Sequence, residues 1–155
     1  MQLLAQEEYG LRCLLELSRH GAARPRTIHE IADAEGLSAD YAAKLLRELR
    51  RGGLVDSTRG ATGGYRLSRA PASITLWDAI QVLGGSLFPE RFCDCHPGQQ
   101  VCCVRRSDCA LRPIWRMVDH AVQGVLSRVT LEDLCRNEPS MSAWLEALPK
   151  ETLQG

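Results

Sequence analysis

A mainly α-helical fold carrying one small β-hairpin and a long C-terminal helix is what this 155-residue chain predicts, on three observations. Apolar residues recur at helical spacing over several stretches, as at Tyr41, Leu45 and Leu49 and again at Trp115, Val118, Val122 and Val125. The period changes only around 54–58 and 65–68, two short runs separated by a glycine-rich loop. Composition is ordinary for a globular chain: 45% hydrophobic, 25% charged, with 19 basic residues balancing 19 acidic ones. That size suits one domain with an appended element and excludes a multidomain enzyme. No apolar run approaches the roughly 20 residues of a membrane span. The first residues, Met-Gln-Leu-Leu-Ala-Gln-Glu-Glu, lack a basic start and a long apolar stretch, so a cytoplasmic protein is expected.

Leu3 to Arg19 carries Tyr9, Cys13, Leu14 and Leu17 at helical spacing, which predicts a first helix ending at Gly21. Arg24-Pro25-Arg26 breaks the chain, and Thr27 with Glu30 three residues on forms a capping box for a short helix from Ile28 to about Glu35. Gly36 stops it. Ser38 is an N-cap for a third helix, which Gly52-Gly53 ends. Leu54–Thr58 and Tyr65–Ser68 then read as the strands of a hairpin whose tip, Arg59-Gly60-Ala61-Thr62-Gly63-Gly64, has three glycines for a sharp reversal. Thr75 and Asp78 cap a helix from Leu76 to about Leu83. An irregular stretch from Ser86 to Asp108 follows. A long helix then runs from Leu111 or Pro113 to Val129, its apolar stripe of Trp115, Val118, Val122, Val125 and Val129 widened by Ile114, Ala121 and Leu126.

Three helices followed by a hairpin is the order of a winged helix-turn-helix, in which the helix of about 39–51 reads DNA. Its small or polar residues Ser38, Ala39, Asp40, Ala42, Ala43 and Lys44 can enter a major groove. Ala42 and Ala43 can meet thymine methyls, Lys44 a base edge or phosphate, and Arg47 or Arg51 the backbone. Arg59, beside Gly60 at the hairpin tip, can reach a narrow minor groove, where the negative potential favours arginine. Charge placement supports this: residues 37–69 hold seven basic side chains against three acidic ones, whereas 130–155 hold five acids against two bases. The competing reading is that an arginine-rich amphipathic helix is merely a solvated face.

Seven cysteines are many, and Cys93, Cys95, Cys102, Cys103 and Cys109 fall within seventeen residues. In a reducing compartment such a cluster binds metal more often than it forms disulfides. Iron in iron-sulfur clusters prefers thiolate, and a flexible loop lets several thiolates wrap one inorganic core. Zinc is the rival, although paired Cys-x-x-Cys knuckles are missing. A disulfide such as Cys95 with Cys103 would instead make a thiol switch, while Cys13 and Cys135 read as buried small hydrophobes. Cys93-Asp94-Cys95-His96 mimics a catalytic site, yet no nucleophile elbow or phosphate loop accompanies it, and a non-enzyme is expected. A cluster-carrying accessory protein that binds no DNA is the third class.

Tyr9-Gly-Leu-Arg before an apolar helix, Gly52-Gly53-Leu54-Val55, and above all Arg59-Gly60-Ala61-Thr62-Gly63-Gly64-Tyr65-Arg66-Leu67 resemble the bacterial iron-sulfur winged-helix regulators of the IscR, NsrR and RirA type. The resemblance continues through Leu76-Trp77-Asp78-Ala79-Ile80 to about residue 135. It implies a homodimeric regulator, a repressor of promoter DNA with a palindromic site, sensing redox state, nitric oxide or iron through a 2Fe-2S or 4Fe-4S cluster. The spacing of Cys95, Cys103 and Cys109 is similar to that of the RirA-like branch, with Cys93 and Cys102 as alternative ligands. A carboxylate at the position of Glu8 supplies a fourth ligand from the other subunit in some members. A histidine ligand of other branches is replaced here by Arg112 or Arg12, and His96 stands as a local alternative. The expected organisation is a DNA-binding domain over 1–70, a connecting helix and cluster loop over 71–110, a dimerisation helix with a short following helix over 111–136, and an acidic tail over 137–155. The stripe of the long helix has the spacing of a two-helix seam, against the alternative of a helix packed on its own domain.

Overall fold

The computed structural model describes residues 4–20, 24–60, 63–85, 88, 92 and 98–147. Helix α1 (Ala5–His20) packs on α2 (Ile28–Glu35), α3 (Ala39–Arg51) and α4 (Leu76–Leu83), and strands β1 (Val55–Thr58) and β2 (Gly64–Leu67) form the wing. Two further helices, α5 (Leu111–Leu126) and α6 (Glu138–Ala147), complete the described chain, with short 3-10 turns at Pro71–Ser73 and Asp133–Cys135. The fold is thus the expected mainly α winged helix-turn-helix with a long C-terminal helix.

The periodicities place the core where they point. Cys13, Leu14 and Leu17 of α1 meet Ile31 of α2 and Leu45, Leu46 and Leu49 of α3, closed from below by Leu54, Val55, Ile74, Ala79 and Leu83. Both parts of the Thr27 capping box are present, and Gly36 ends α2 in the left-handed conformation at φ 66°. Ser38 caps α3 by accepting the Tyr41 amide at 3.3 Å. Thr75 and Asp78 make the second capping box.

The wing is a two-stranded antiparallel ribbon with Val55 opposite Leu67 and Ser57 opposite Tyr65. Its outer strand is not free: the Arg26 amide donates to the Tyr65 carbonyl at 2.8 Å and the Tyr65 amide to the Arg26 carbonyl at 2.7 Å. The segment before α2 therefore adds a third short edge. Gly64 makes this possible, since a Cβ there would lie 2.5 Å from the Arg26 carbonyl oxygen. On the other side Arg50 of α3 donates to the Ser57 hydroxyl of β1 at 3.0 Å. β2 begins one residue before the expected Tyr65 and ends at Leu67.

The long helix is shorter than its sequence pattern. It ends at Leu126, and Val129, expected on its apolar stripe, is instead buried beside α4. The reason is pairing: the Leu76 amide donates to the Val129 carbonyl at 2.7 Å and the Leu131 amide to the Ile74 carbonyl at 2.9 Å, which pulls the chain back across the entrance of α4. Thr130 and Asp133 then fix the turn by reciprocal hydrogen bonds. Within the acidic C-terminal stretch, residues 138–147 form helix α6.

Candidate functional site

Helix α3 buries Ala42, Leu45, Leu46 and Leu49 and turns its other side outward. Ser38, Asp40, Lys44, Arg47 and Arg51 are exposed on that side, with Ala39 and Ala43 half-buried among them. Ala42 is a correction: it has no accessible surface and cannot reach a thymine methyl. Being small, it lets α3 approach the rest of the core. Arg51 is held by Glu48 at 3.0 Å, whereas among the described residues Lys44 and Arg47 have no ionic partner and their charges face solvent. The wing presents Arg59 and Gly60 exposed, and Gly60 at φ 109° turns the tip back so that the Gly63 amide reaches its carbonyl at 2.9 Å. Ala61 and Thr62 lie outside the described residues.

Between the reading helix and the wing runs an open groove of about 420 Å³, floored by Ala39, Ala43 and Gly64 and flanked by Thr27, His29, Asp40 and Tyr65. His29 was not among the sequence candidates. Its place, two residues after the N-cap of the first helix of the pair, was a legible signal.

The cysteines separate by environment. Cys103 and Cys109 are half-buried and line one apolar cleft of about 140 Å³ with Phe88, Phe92, Leu111 and Trp115, and Arg105 and Arg112 complete its wall. The rings of Phe88 and Phe92 stack 4.7 Å apart within this wall. Cys102 is exposed. Cys93, Cys95 and His96 lie outside the described residues. Cys13 is fully buried, and burial pushes its thiol up to about 12, the Glu35 carboxylate adding to the effect and Arg12 opposing it. Cys135 is only half-buried, its Sγ 3.3 Å from the Ser18 hydroxyl, so it is less enclosed than expected. Glu8 is exposed on the first turns of α1, while Glu7 beside it is buried, accepts the Leu4 amide at 2.7 Å and packs against Gly84.

Immediately after the cleft, α5 exposes the apolar side chains of Leu111, Ile114, Trp115 and Val118 and buries none of its residues. The family description "Rrf2: Iron-dependent Transcriptional regulator" matches residues 3–137. The chain belongs to the Rrf2 family. Within that family it is 36% identical over 137 residues to Protein rrf2 of Nitratidesulfovibrio vulgaris, covering 88% of this chain and 89% of the relative. Among solved structures it resembles CymR, the global cysteine regulator of B. subtilis, at 34% identity and a TM-score of 0.69, over 87% of this chain and 96% of that one. It also resembles T. potens IscR at 27% identity and a TM-score of 0.68, over 97% and 93% respectively.

The family frame puts this Rrf2 protein among transcriptional regulators, and its wing and α3 stand where a winged helix presents its DNA-reading surface. Its structure gathers Cys103 with Cys109 in one cleft, and leaves Lys44 and Arg47 of α3 and Arg59 of the wing exposed. No described helix is long and apolar enough to cross a membrane. Among the described residues no three His, Cys, Asp or Glu side chains are grouped to hold a metal.

Proposed function

We propose that this chain is a cytoplasmic, homodimeric repressor of the Rrf2 family whose affinity for promoter DNA is set by an iron-sulfur cluster. The carrying observation is the apolar cleft that holds Cys103 and Cys109 at the start of the exposed helix α5. Soft thiols in an apolar wall fit an iron-sulfur core, because thiolate is the preferred ligand and the wall limits access of water. Cys103 and Cys109 would be ligands together with Cys95, and Glu8 of the partner subunit would supply the fourth. Cys93, Cys102 and His96 are the alternatives. When bound, the cluster supplies a 2Fe-2S or 4Fe-4S centre sensitive to oxidants, nitric oxide or iron shortage.

The chain's own residues do the rest. The apolar face of α5 favours a second copy, with Trp115, Val118, Val122 and Val125 at the 3-4-3 spacing of a two-helix seam. A twofold pair would offer two α3 helices to a palindromic duplex. Ser38, Ala39, Asp40, Ala43 and Lys44 would face base edges. Arg47 and Arg51 would contact phosphates, with Arg59 and Gly60 entering the adjacent minor groove. Because the cleft abuts α5, ligation at Cys103 and Cys109 can change the angle between the two reading heads.

A thiol switch on the same scaffold is the second reading, favoured by the likeness to a cysteine regulator and by the exposed Cys102 next to Cys103. Anaerobic native mass spectrometry separates the two. A dimer mass with stoichiometric iron and sulfide supports the cluster. A metal-free dimer that loses two mass units per chain reversibly on mild oxidation supports the switch. Holo and apo forms are then titrated against one duplex selected by the protein from a random library, and equal affinities would remove the cluster as regulator.

A further inference from the structure

Helix α5 carries a second surface besides its apolar stripe. Arg112, Arg116 and His120 follow one another one turn apart, Arg112 half-buried and the other two exposed. With Pro113 and Met117 and with residues 107–109 of the preceding turn, they line a cleft of about 630 Å³, a size typical of small-ligand sites. At about 100° per residue, these helix positions lie roughly half a turn away from Trp115, Val118, Val122 and Val125. A second copy seated on that stripe therefore leaves the cleft open.

The charge in this cleft is not balanced from within the chain. Asp108 is the one acid in its lining, and among the described residues none of Asp108, Arg112 and Arg116 makes an ion pair. Asp119 stands three residues beyond Arg116, outside the lining and without an ion pair to it. Nη2 of Arg112 donates to the Arg106 carbonyl at 2.8 Å, which holds the guanidinium at the cleft wall without neutralising it. Like charges four residues apart on a helix repel, and an anion between them reverses the sign of that interaction. Two such residues, their Cβ atoms about 5–6 Å apart, span more than a single carboxylate. They match a ligand with two or more anionic groups, each taken by the N–H fork of one arginine. His120 and the Ser107 hydroxyl add further donors.

We propose that this cleft binds a small polyanion, an organic polycarboxylate or a bisphosphorylated metabolite, through Arg112 and Arg116. Cys109 and Arg112 line both this cleft and the apolar one, so the occupant lies against the outer wall of the cysteine site. The binding requires neither iron nor DNA and stands whether or not the proposed function does.

The test is calorimetric titration of the full-length, anaerobically purified protein at fixed ionic strength. Three probes are used: tricarballylate, which has three carboxylates and no hydroxyl to chelate iron; bisphosphoglycerate; and acetate as the single-charge control. Saturable binding of one polyanion per chain is expected, with acetate at least about tenfold weaker. Binding of tricarballylate alone assigns the site to carboxylates, binding of bisphosphoglycerate alone to phosphates, and binding of both to charge and spacing. Arg116→Gln and Arg112→Gln should each weaken the preferred probe about tenfold or more, and Arg116→Lys, which keeps the charge without the fork, should fall between. If Arg112→Gln fails to fold, Arg116→Gln decides alone, since Arg116 is exposed and has no partner in the fold. Amide exchange should slow on binding over residues 107–120. Failure of both polyanions to bind at millimolar concentration overturns the proposal, as does acetate binding equally well. Unchanged affinity in Arg116→Gln, or slowed exchange over α3 and the wing in place of 107–120, overturns it as well, because the anion would then sit on another basic surface.

Discussion

Cys13 and Cys102 carry the same thiol into opposite surroundings, and their chemistry should diverge accordingly. Burial holds the Cys13 thiol up to about 12 from an ordinary 9.0. The unfolded chain therefore releases this proton first as pH rises, so the contribution is intact below about pH 9 and is lost between about 9 and 12. Denaturant midpoints at pH 8 and pH 10 should differ in that sense, and iodoacetamide should label Cys102 in the native protein while sparing Cys13. Gly64 is a second residue with a defined cost. A Cβ there meets the Arg26 backbone, so Gly64→Ala is expected to destabilise by about 1–3 kcal/mol, read from the denaturant midpoint. The residue scale is also where sequence reasoning failed in a definite way. Ala42 and Ala43 are neighbours of one type, yet Ala42 has no accessible surface and Ala43 faces the groove. Small side chains suit a crowded helix contact and a DNA groove equally, and only the direction of the helix separates the two.

Helix α2 spans the expected Ile28 to Glu35 because local chemistry defines both of its ends. The Thr27 hydroxyl accepts the Glu30 amide, and the Glu30 carboxylate accepts the Thr27 amide at 2.8 Å. Thr27→Ala should cost about 1 kcal/mol of stability, measurable by thermal or denaturant unfolding. Glu30 also accepts from Arg24, and that hydrogen bond, followed by the one from the Thr27 amide, holds its carboxyl well below the usual carboxylate range. The unfolded chain takes up this proton first on acidification, so the contribution is present above about pH 4.5 and is lost as pH falls below it. Unfolding midpoints at pH 7 and pH 3 should move closer together in Glu30→Gln than in the wild type. Helix α5 illustrates the opposite case. Its stripe continues in sequence to Val129, but the backbone bonds from Leu76 and Leu131 outcompete another helical turn. Those partners are more than fifty residues away or beyond the helix end, so periodicity within 111–129 carried no trace of them.

The zero net charge of the whole molecule masks a division of labour, with a surplus of four positive charges over residues 37–69 offset by three negative charges over 130–155 and one over the remainder. Its other large-scale feature is the uncovered apolar face of α5, where Leu111, Ile114 and Trp115 remain about half exposed. A face of that kind is stabilised by a partner surface. Trp115→Glu should therefore convert the protein to a monomer in sedimentation velocity and weaken binding to the selected duplex, while far-ultraviolet circular dichroism stays unchanged. Retention of the dimer would assign α5 to another role.

By itself the sequence determined the elements whose signals are local: the two capping boxes, the helix-ending Gly36, the glycine-rich wing and the core stripe of α3 all act within a few residues of themselves. The wing motif also carried the family. Tertiary structure alone decided which alanine faces the groove, that Val129 belongs to the core, that Arg26 extends the wing, and that Cys103 and Cys109 share one apolar wall. It alone placed Arg12 on Glu35. Each of these depends on elements brought together from distant parts of the chain, and a contact made after folding leaves its mark on packing and charge rather than on the order of neighbouring residues.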